Sequence, residues 1–162
     1  MDKERTTFRK EKNLDDQENE TRSQILEPEY VLNDQIGYLL RKAYQRNAVL
    51  FSEKIQDLTP TQFAVMARLT ELSNVSQNQL GRTVGLDVAT TKGVVDRLLA
   101  RGLVKSLPSP SDRRRQLISL TEDGWDCFTQ KAKQGLEVSA ETLAPLTPSE
   151  QRSLIKILRK IL

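Results

Sequence analysis

Large apolar residues recur every three or four positions along most of this chain, the spacing that is typical of amphipathic helices. Such stretches run from 31 to 55 and begin again near 59, 76, 87, 121 and 147. Between 103 and 121, two apolar runs instead flank a loop of Pro, Ser and Asp residues, which is typical of a β-hairpin. The pattern predicts the order helix, helix, helix, helix, hairpin, helix, helix.

Residues that cap helices mark where these helices begin and end. Thr59, Ser76 and Thr147 are each followed three positions later by Gln or Glu, which is the spacing of a capping box. Asp87 is a good N-cap for the fourth helix, and we expect that helix to end near Gly102.

The short helices that begin at 76 and 87 are predicted to form a helix–turn–helix, with the second as the recognition helix. Gly81 has no side chain where the second helix packs close, and Gly85 permits the left-handed backbone that the turn requires. The residues expected to face the shared core are Leu80, Val84, Leu86 and Val94. The buried line of the recognition helix is expected to be Thr91, Val94, Val95 and Leu98.

Composition narrows the possible classes of protein. A chain of 162 residues is long enough for one domain with a core and short for two. The chain has no histidine and a single cysteine, Cys127. This composition excludes His-dependent catalysis, most zinc hydrolases and cysteine-based zinc sites. We therefore expect no enzyme activity, no metal and no cofactor. The sequence also lacks a membrane-spanning apolar run and a signal segment, so we expect a cytoplasmic protein that does not bind membranes.

Charge is distributed unevenly along the chain. Residues 1–31 hold six Lys or Arg against nine Asp or Glu, and the polar stretch 1–27 is predicted to be a disordered tail. From Lys92 to Arg115 there are seven basic residues and only two acidic ones. Because these cations coincide with the helix–turn–helix and the hairpin, we expect them to bind the phosphates of DNA rather than simply solvate a surface.

The recognition helix is expected to read base edges in the major groove with its outer face. Thr90 and Lys92 offer polar contacts, while Ala89 and Gly93 are small enough to let the helix approach the bases.

Phosphate contacts are expected from two further pairs of residues. Arg97 and Arg101 lie farther along the recognition helix and have the length to reach the DNA backbone. Ser76 and Gln77 lie at a helix N-terminus, where backbone N–H groups bind anions.

The hairpin carries three consecutive arginines, Arg113, Arg114 and Arg115, just past a loop stiffened by Pro108 and Pro110. A planar, permanently charged guanidinium suits a narrow minor groove, where the potential is most negative. Alternation along the returning strand would place Arg114 on one side and its two neighbours on the other. We therefore expect insertion of some of these arginines and a solvated turn for at least one.

Three stretches carry a resemblance to a known family. They are Asp112-Arg113-Arg114, then Leu120-Thr121-Glu-Asp-Gly124, and Gly102-Leu103-Val104. With the order of elements, they resemble the MarR (multiple-antibiotic-resistance regulator) family of bacterial repressors over about 32–162. The resemblance implies a mainly α, α+β winged-helix fold: a helix–turn–helix with a two-stranded β wing, flanked by N- and C-terminal dimerisation helices.

The resemblance also implies roles for two residues of the wing. Arg114 would enter the minor groove, and Asp112 would orient the wing through an ion pair. Thr91 departs from the family, which usually has valine or isoleucine there, but threonine is nearly isosteric with valine.

Dimerisation is expected because one winged helix reads too few base pairs for useful specificity, so that two copies would bind a palindromic duplex operator. The family uses its end helices for this purpose, here 28–56 and 122–162, around a DNA-binding lobe at 57–121. The candidate interface residues are Leu32, Ile36, Leu154, Ile157, Leu158 and Ile161. The alternative is that both apolar stripes belong to an intramolecular core.

A small-molecule effector is implied by the family, whose members often sense aromatic acids. The candidate residues are Tyr38, Arg41, Tyr44, Arg46, Phe63 and Met66. An arginine beside aromatic side chains suits an aryl carboxylate or its coenzyme A thioester. The alternative interpretation is that the tyrosines lie at the edge of the core and the arginines are solvated.

Three classes of function follow: a ligand-responsive DNA-binding repressor, a winged-helix adaptor that binds proteins, and a redox-sensing regulator. The arginines at 113–115 argue against the adaptor. Trp125, Phe128 and acidic neighbours predict that Cys127 is a buried, unactivated thiol, which argues against the redox sensor.

Overall fold

The computed structural model of the protein describes residues 30–112 and 114–162. The predicted tail at 1–27 and Arg113 lie outside the described residues. The elements, in chain order, are a 3₁₀ turn (Leu32–Asp34), α1 (Ile36–Lys54), α2 (Pro60–Leu72), β1 (Val75–Ser76), α3 (Gln77–Val84), α4 (Val88–Ala100), β2 (Val104–Pro108), β3 (Gln116–Leu120), α5 (Glu122–Leu143) and α6 (Pro148–Ile161). The predicted order of helices and hairpin is confirmed. None of the helices in this described part combines the length and hydrophobicity that a membrane crossing requires.

The described residues fall into two units, 30–42 and 43–162. In the first unit the described residues are the 3₁₀ turn and the beginning of α1, and none of those from Tyr30 onward is buried. The second unit contains the hydrophobic core. Its side chains that are at most 2% exposed include Ile55, Val65, Met66, Leu69, Leu80, Val95 and Leu98.

Capping residues begin the helices where the sequence predicts. Thr59 and Gln62 form a complete capping box on α2, with the two bonds at 3.2 and 2.9 Å. Thr147 and Glu150 form the same box on α6. Ser76 caps α3 by accepting the Gln79 N–H at 3.3 Å, but the described residues contain no return bond from the Gln79 side chain. The capping-box prediction is therefore wrong at α3, although the helix start is right.

A third strand, β1, joins the predicted hairpin. The sheet order is β1-β3-β2, all antiparallel, so β3 pairs with both neighbours. Val75 faces Ile118 in this register, and Val104 faces Leu120. The predicted two-stranded wing is β2 and β3, and the unpredicted β1 joins its sheet because the residues before α3 extend and pair with the free edge of β3. This pairing fixes the wing to the helix–turn–helix.

The start of α5 packs directly against the end of the recognition helix. A Cβ built on Gly124 would lie 1.9 Å from the Leu103 carbonyl oxygen, so only glycine fits there. Thr121 caps α5, and its hydroxyl donates to the Gly102 carbonyl at 2.6 Å. Gly102 has φ +69°, and ends α4 as predicted. These contacts join α4, the sheet and α5 into one body.

Candidate nucleic-acid interface

The recognition helix α4 begins with a tight set of bonds around Asp87. Its carboxylate accepts the Thr90 N–H at 2.8 Å and the Thr90 hydroxyl at 2.6 Å. Both bonds lower the pKa of Asp87, and the bond from the Thr90 hydroxyl has the larger effect. The cap is therefore ionised at neutral pH, and its negative charge lies at the positive end of the helix dipole.

The inner face of α4 is buried as predicted. Thr91, Val94, Val95 and Leu98 are at most 3% exposed. The Thr91 hydroxyl is satisfied because it donates to the Asp87 carbonyl at 2.7 Å. Threonine therefore replaces valine here without leaving a buried hydroxyl unpaired.

The outer face of α4 is exposed and carries the predicted reading residues. Ala89, Thr90 and Lys92 are exposed, and Gly93 is half-buried. Lys92 Nζ lies 2.5 Å from the Asp96 carboxylate one turn later, so in the free protein this ammonium is paired. Thr90 is likewise engaged by its own N-cap. Both polar reading groups would exchange these partners for bases on binding.

Arg97 and Arg101 were both predicted to contact phosphate, but they differ in the structure. Arg97 is exposed and makes no ion pair with any other described residue. Arg101 instead donates to the Asp57 carbonyl at 2.5 Å, and its second terminal nitrogen lies 3.4 Å from the Asp57 carboxylate. Lys131 also pairs with Asp57 at 3.4 Å. Arg101 thus ties the end of α4 to the loop between α1 and α2.

Ser76 and Gln77 lie where β1 becomes α3, and both are half-buried. The Ser76 side-chain oxygen already accepts the Gln79 N–H, and its hydroxyl proton can still be donated to an anion.

The loop between β2 and β3 is closed by backbone bonds. The Ser109 N–H donates to the Arg115 carbonyl at 2.8 Å, and the Arg115 N–H to the Asp112 carbonyl at 2.9 Å. The Asp112 carboxylate accepts the Arg114 N–H at 3.0 Å, and no described cation forms an ion pair with it. Asp112 therefore shapes the turn through a backbone bond, and the ion pair that the family resemblance implies remains a prediction.

Arg114 and Arg115 do not lie on a strand. β3 begins only at Gln116, and Arg114 and Arg115 precede it in a turn with both side chains exposed. The alternation argument is wrong for Arg114 and Arg115, because β3 begins only after them and the Arg115 N–H bonds to the Asp112 carbonyl instead of across the hairpin.

The predicted effector residues have different environments. In the first unit, the Arg41 guanidinium lies over the Tyr38 ring, 5.2 Å from its centroid. In the second unit Tyr44 and Arg46 are exposed on α1, whereas Met66 is completely buried in the core. Phe63 is half-buried, and its ring contacts two others, Phe51 at 5.7 Å and Phe128 at 5.1 Å between centroids.

The predicted interface residues are largely exposed. Leu32, Ile36, Leu154, Ile157 and Ile161 are between 37% and 65% exposed, and Leu158 is half-buried.

Cys127 is half-buried and packs against the core, so the prediction that this thiol is buried is wrong.

Comparisons with known proteins agree with this geometry. The sequence model of the MarR family matches residues 58–115. The HTH-type transcriptional repressor NicR of Pseudomonas putida is 35% identical over 135 residues, which are 82% of this chain and 85% of NicR. The chain belongs to the MarR family.

Two solved structures extend the likeness to the MarR-family fold. A probable transcriptional regulator from Pseudomonas aeruginosa superposes with a TM-score of 0.79 at 44% identity, over 82% of this chain and 100% of that one. Bordetella bronchiseptica BpsR superposes with a TM-score of 0.78 at 34% identity. The DNA binding of BpsR is regulated by 6-hydroxynicotinic acid. That match covers 82% of this chain and 96% of BpsR.

Members of the MarR family are DNA-binding transcriptional regulators, and this chain is accordingly a transcriptional regulator and not an enzyme. The predicted fold class is confirmed by the same comparisons.

The structure adds two residues that the sequence analysis missed. Val88, the first residue of α4, is 67% exposed and precedes Lys92 by one helical turn, so both lie on the outer face. An exposed methyl group there suits contact with a thymine methyl. Asp57 was missed because its partners, Arg101 and Lys131, are 44 and 74 positions away in the sequence.

The pairing of Lys92 with Asp96 leads to a prediction. Asp96→Asn should raise operator affinity about two- to fivefold, because it frees Lys92 and removes a negative charge from the outer face of α4. Glu53→Gln removes the same charge from an exposed position on α1 and should change affinity little. Fluorescence anisotropy on a labelled operator measures both. Equal affinities for the two variants would contradict a role for Lys92 at the DNA.

Proposed function

We propose that this chain is a homodimeric repressor that binds a palindromic operator and is released from it by a small aromatic acid. The observation that carries the proposal is α4, whose inner face is buried while its outer face exposes Val88, Lys92 and Arg97. A helix with one face fixed in the core and a basic outer face is suited to major-groove reading. The division into dimerisation helices at 28–56 and 122–162 and a DNA-binding lobe at 57–121 remains our prediction.

The wing supplies the second part of the proposed DNA contact. Arg114 and Arg115 are exposed and free of ion pairs with other described residues, so neither has to give up a salt bridge to bind DNA. The turn bonds of Asp112 and Ser109 hold the backbone beneath them. A preformed loop places a guanidinium in the minor groove with little loss of entropy. Arg113 is proposed to contribute phosphate binding.

Dimer formation is proposed from the apolar side chains of α6. This helix has no buried residue, although it carries several large apolar side chains. Those that are exposed are Leu154, Ile155, Ile157 and Ile161. Apolar faces of this kind mark sites of association. A second copy is the partner proposed, because a palindrome requires a two-fold dimer.

The effector class is proposed from a relative and from the chemistry of α1. BpsR is regulated by 6-hydroxynicotinic acid, a hydroxylated aromatic acid. In the second unit Arg46 and Tyr44 are exposed on α1 and offer the cation and the aromatic ring that such an acid requires, and in the first unit Arg41 lies over the Tyr38 ring. Phe63 is half-buried and stays in the predicted set, whereas Met66 is completely buried in the core and offers no surface to an effector.

The dimer proposal is tested by reversing the polarity of α6. Ile157→Asp combined with Ile161→Asp should give monomers at micromolar concentration and lose operator binding, because each copy alone reads one half-site. Lys156→Asp on the same helix is the control and should remain dimeric. Sedimentation velocity and anisotropy on a palindrome with half-site centres about 10 bp apart measure the two properties. A monomeric wild-type protein would overturn the proposal.

The wing proposal is tested by comparing two adjacent arginines. Arg114→Ala should cost about 1.5–3 kcal/mol of binding free energy, since it removes a charged hydrogen-bond donor from a desolvated groove. Its effect should be largest on operators with A·T-rich flanks, where the groove is narrow. Arg115→Ala is the control and should weaken binding to all duplexes alike, mainly by reducing the salt dependence. If the two variants behave identically on every duplex, the wing does not insert.

A further inference from the structure

A cavity of about 390 Å³ opens on the second unit between the wing strands, the end of α2 and the start of α5. None of its lining residues belongs to the sets predicted for DNA, effector or dimer contact. Its volume lies within the range of pockets that hold small organic ligands.

The polar end of the cavity consists of Lys105 and Ser119. These residues face each other across β2 and β3, so their side chains project from the same face of the sheet a few ångströms apart. The Ser119 residue is 8% exposed, and its hydroxyl oxygen is buried without any hydrogen-bond partner. Lys105 is exposed and forms no ion pair with the rest of the described chain.

An unpaired buried hydroxyl is uncommon in folded proteins, because it forfeits its bonds to water. Beside an uncommitted ammonium, such a hydroxyl can donate to the oxygen of an anion that the ammonium also attracts. This end of the cavity therefore favours a negatively charged group, and Asn74, which also lines the cavity, carries an amide donor.

The apolar side of the cavity is flat and partly open. Trp125 is 47% exposed and Leu107 is 53% exposed, while Leu69 and Leu120 are buried below them. An indole ring beside leucine side chains suits a planar apolar body, which would cover surface that water now contacts.

Ser73, which also lines the cavity, has a strained backbone. Its φ of 57° is the one positive value among the described residues other than glycine. Non-glycine residues adopt this region at a cost, and such strain is concentrated at ligand sites. The strained backbone of Ser73 therefore supports a ligand site in this cavity, which Lys105, Ser119 and Trp125 indicate independently.

We propose that this cavity binds a small aromatic carboxylate, with the carboxylate on Lys105 and Ser119 and the ring against Trp125. Because the occupant contacts both strands of the wing, it fixes the wing relative to α2 and α5. The site is thus a second regulatory site, and this last step alone rests on the proposed repressor function.

The binding step is tested on the full chain without DNA. Trp125 is the only tryptophan, so the ¹⁵N-labelled protein gives a single indole N–H signal in an NMR spectrum. Benzoate should shift this signal saturably, while benzamide, which lacks the charge, and cyclohexanecarboxylate, which lacks the aromatic ring, should each bind at least about tenfold more weakly. No saturable shift with benzoate, or equal binding of benzamide or of cyclohexanecarboxylate, would overturn the proposal.

Variants locate the binding. Lys105→Gln is a surface change that keeps the fold, and it should weaken benzoate binding about tenfold; Ser119→Ala should weaken it severalfold. Lys133→Gln, at an exposed lysine on α5, is the matched control and should bind as the wild type does. Unchanged binding in Lys105→Gln would place benzoate elsewhere and contradict the site.

The regulatory step is tested separately by operator affinity with and without benzoate. A change in affinity that Lys105→Gln abolishes supports wing control. If benzoate binds at Trp125 but operator affinity stays constant, the regulatory step is wrong while the binding site stands. If the protein binds no operator at all, the repressor function fails and the NMR result is unaffected.

Discussion

The close packing of α3 on α4 is the constraint on which the rest of the DNA-binding surface depends. A Cβ on Gly81 would lie 2.6 Å from the Thr91 hydroxyl oxygen and 3.2 Å from the Leu86 carbonyl oxygen. The same hydroxyl bonds to the Asp87 carbonyl, so the approach of the helices and the N-terminus of the recognition helix are set by one cluster. Gly85, with φ 68°, makes the turn short enough for this approach.

The wing is coupled to that cluster through the sheet and through α5. β1 leads directly into α3 and pairs with β3, so the strand that carries the wing is bonded to the first helix of the motif. Gly124 and Thr121 close the other side, against Leu103 and Gly102 at the end of α4. The wing and the reading helix therefore have a defined relation before DNA is present, and this preorganisation lowers the entropic cost of binding.

Local signals made most of the fold predictable from the sequence, because caps, turn glycines and helical spacing act within a few residues. Thr59, Asp87, Thr147 and Gly85 all do what their positions predict.

The features that the sequence did not predict depend on contacts between residues that are distant in the chain. The strand at Val75, the Arg101–Asp57 link and the exposure of Cys127 depend on partners many residues away. In the candidate site, helical periodicity predicted the inner face of α4. The turn that holds Arg114 could not be predicted in this way, because it depends on the hydrogen bond that the Asp112 carboxylate accepts. The cavity at Ser119 had no sequence signal, since it depends on three separate segments meeting.

A double-mutant cycle at Gly81 and Thr91, read out as operator-binding free energy, tests the central claim most directly. Gly81→Ala alone should weaken binding strongly, because the added methyl group forces α4 away from α3. In a Thr91→Ala background, which removes the hydroxyl that it would meet, the same change should cost less, with a coupling of about 0.5–3 kcal/mol. Thermal unfolding of the four proteins separates this effect from loss of folded protein. Additive effects, within about 0.3–0.5 kcal/mol, would show that the contact does not position the recognition helix.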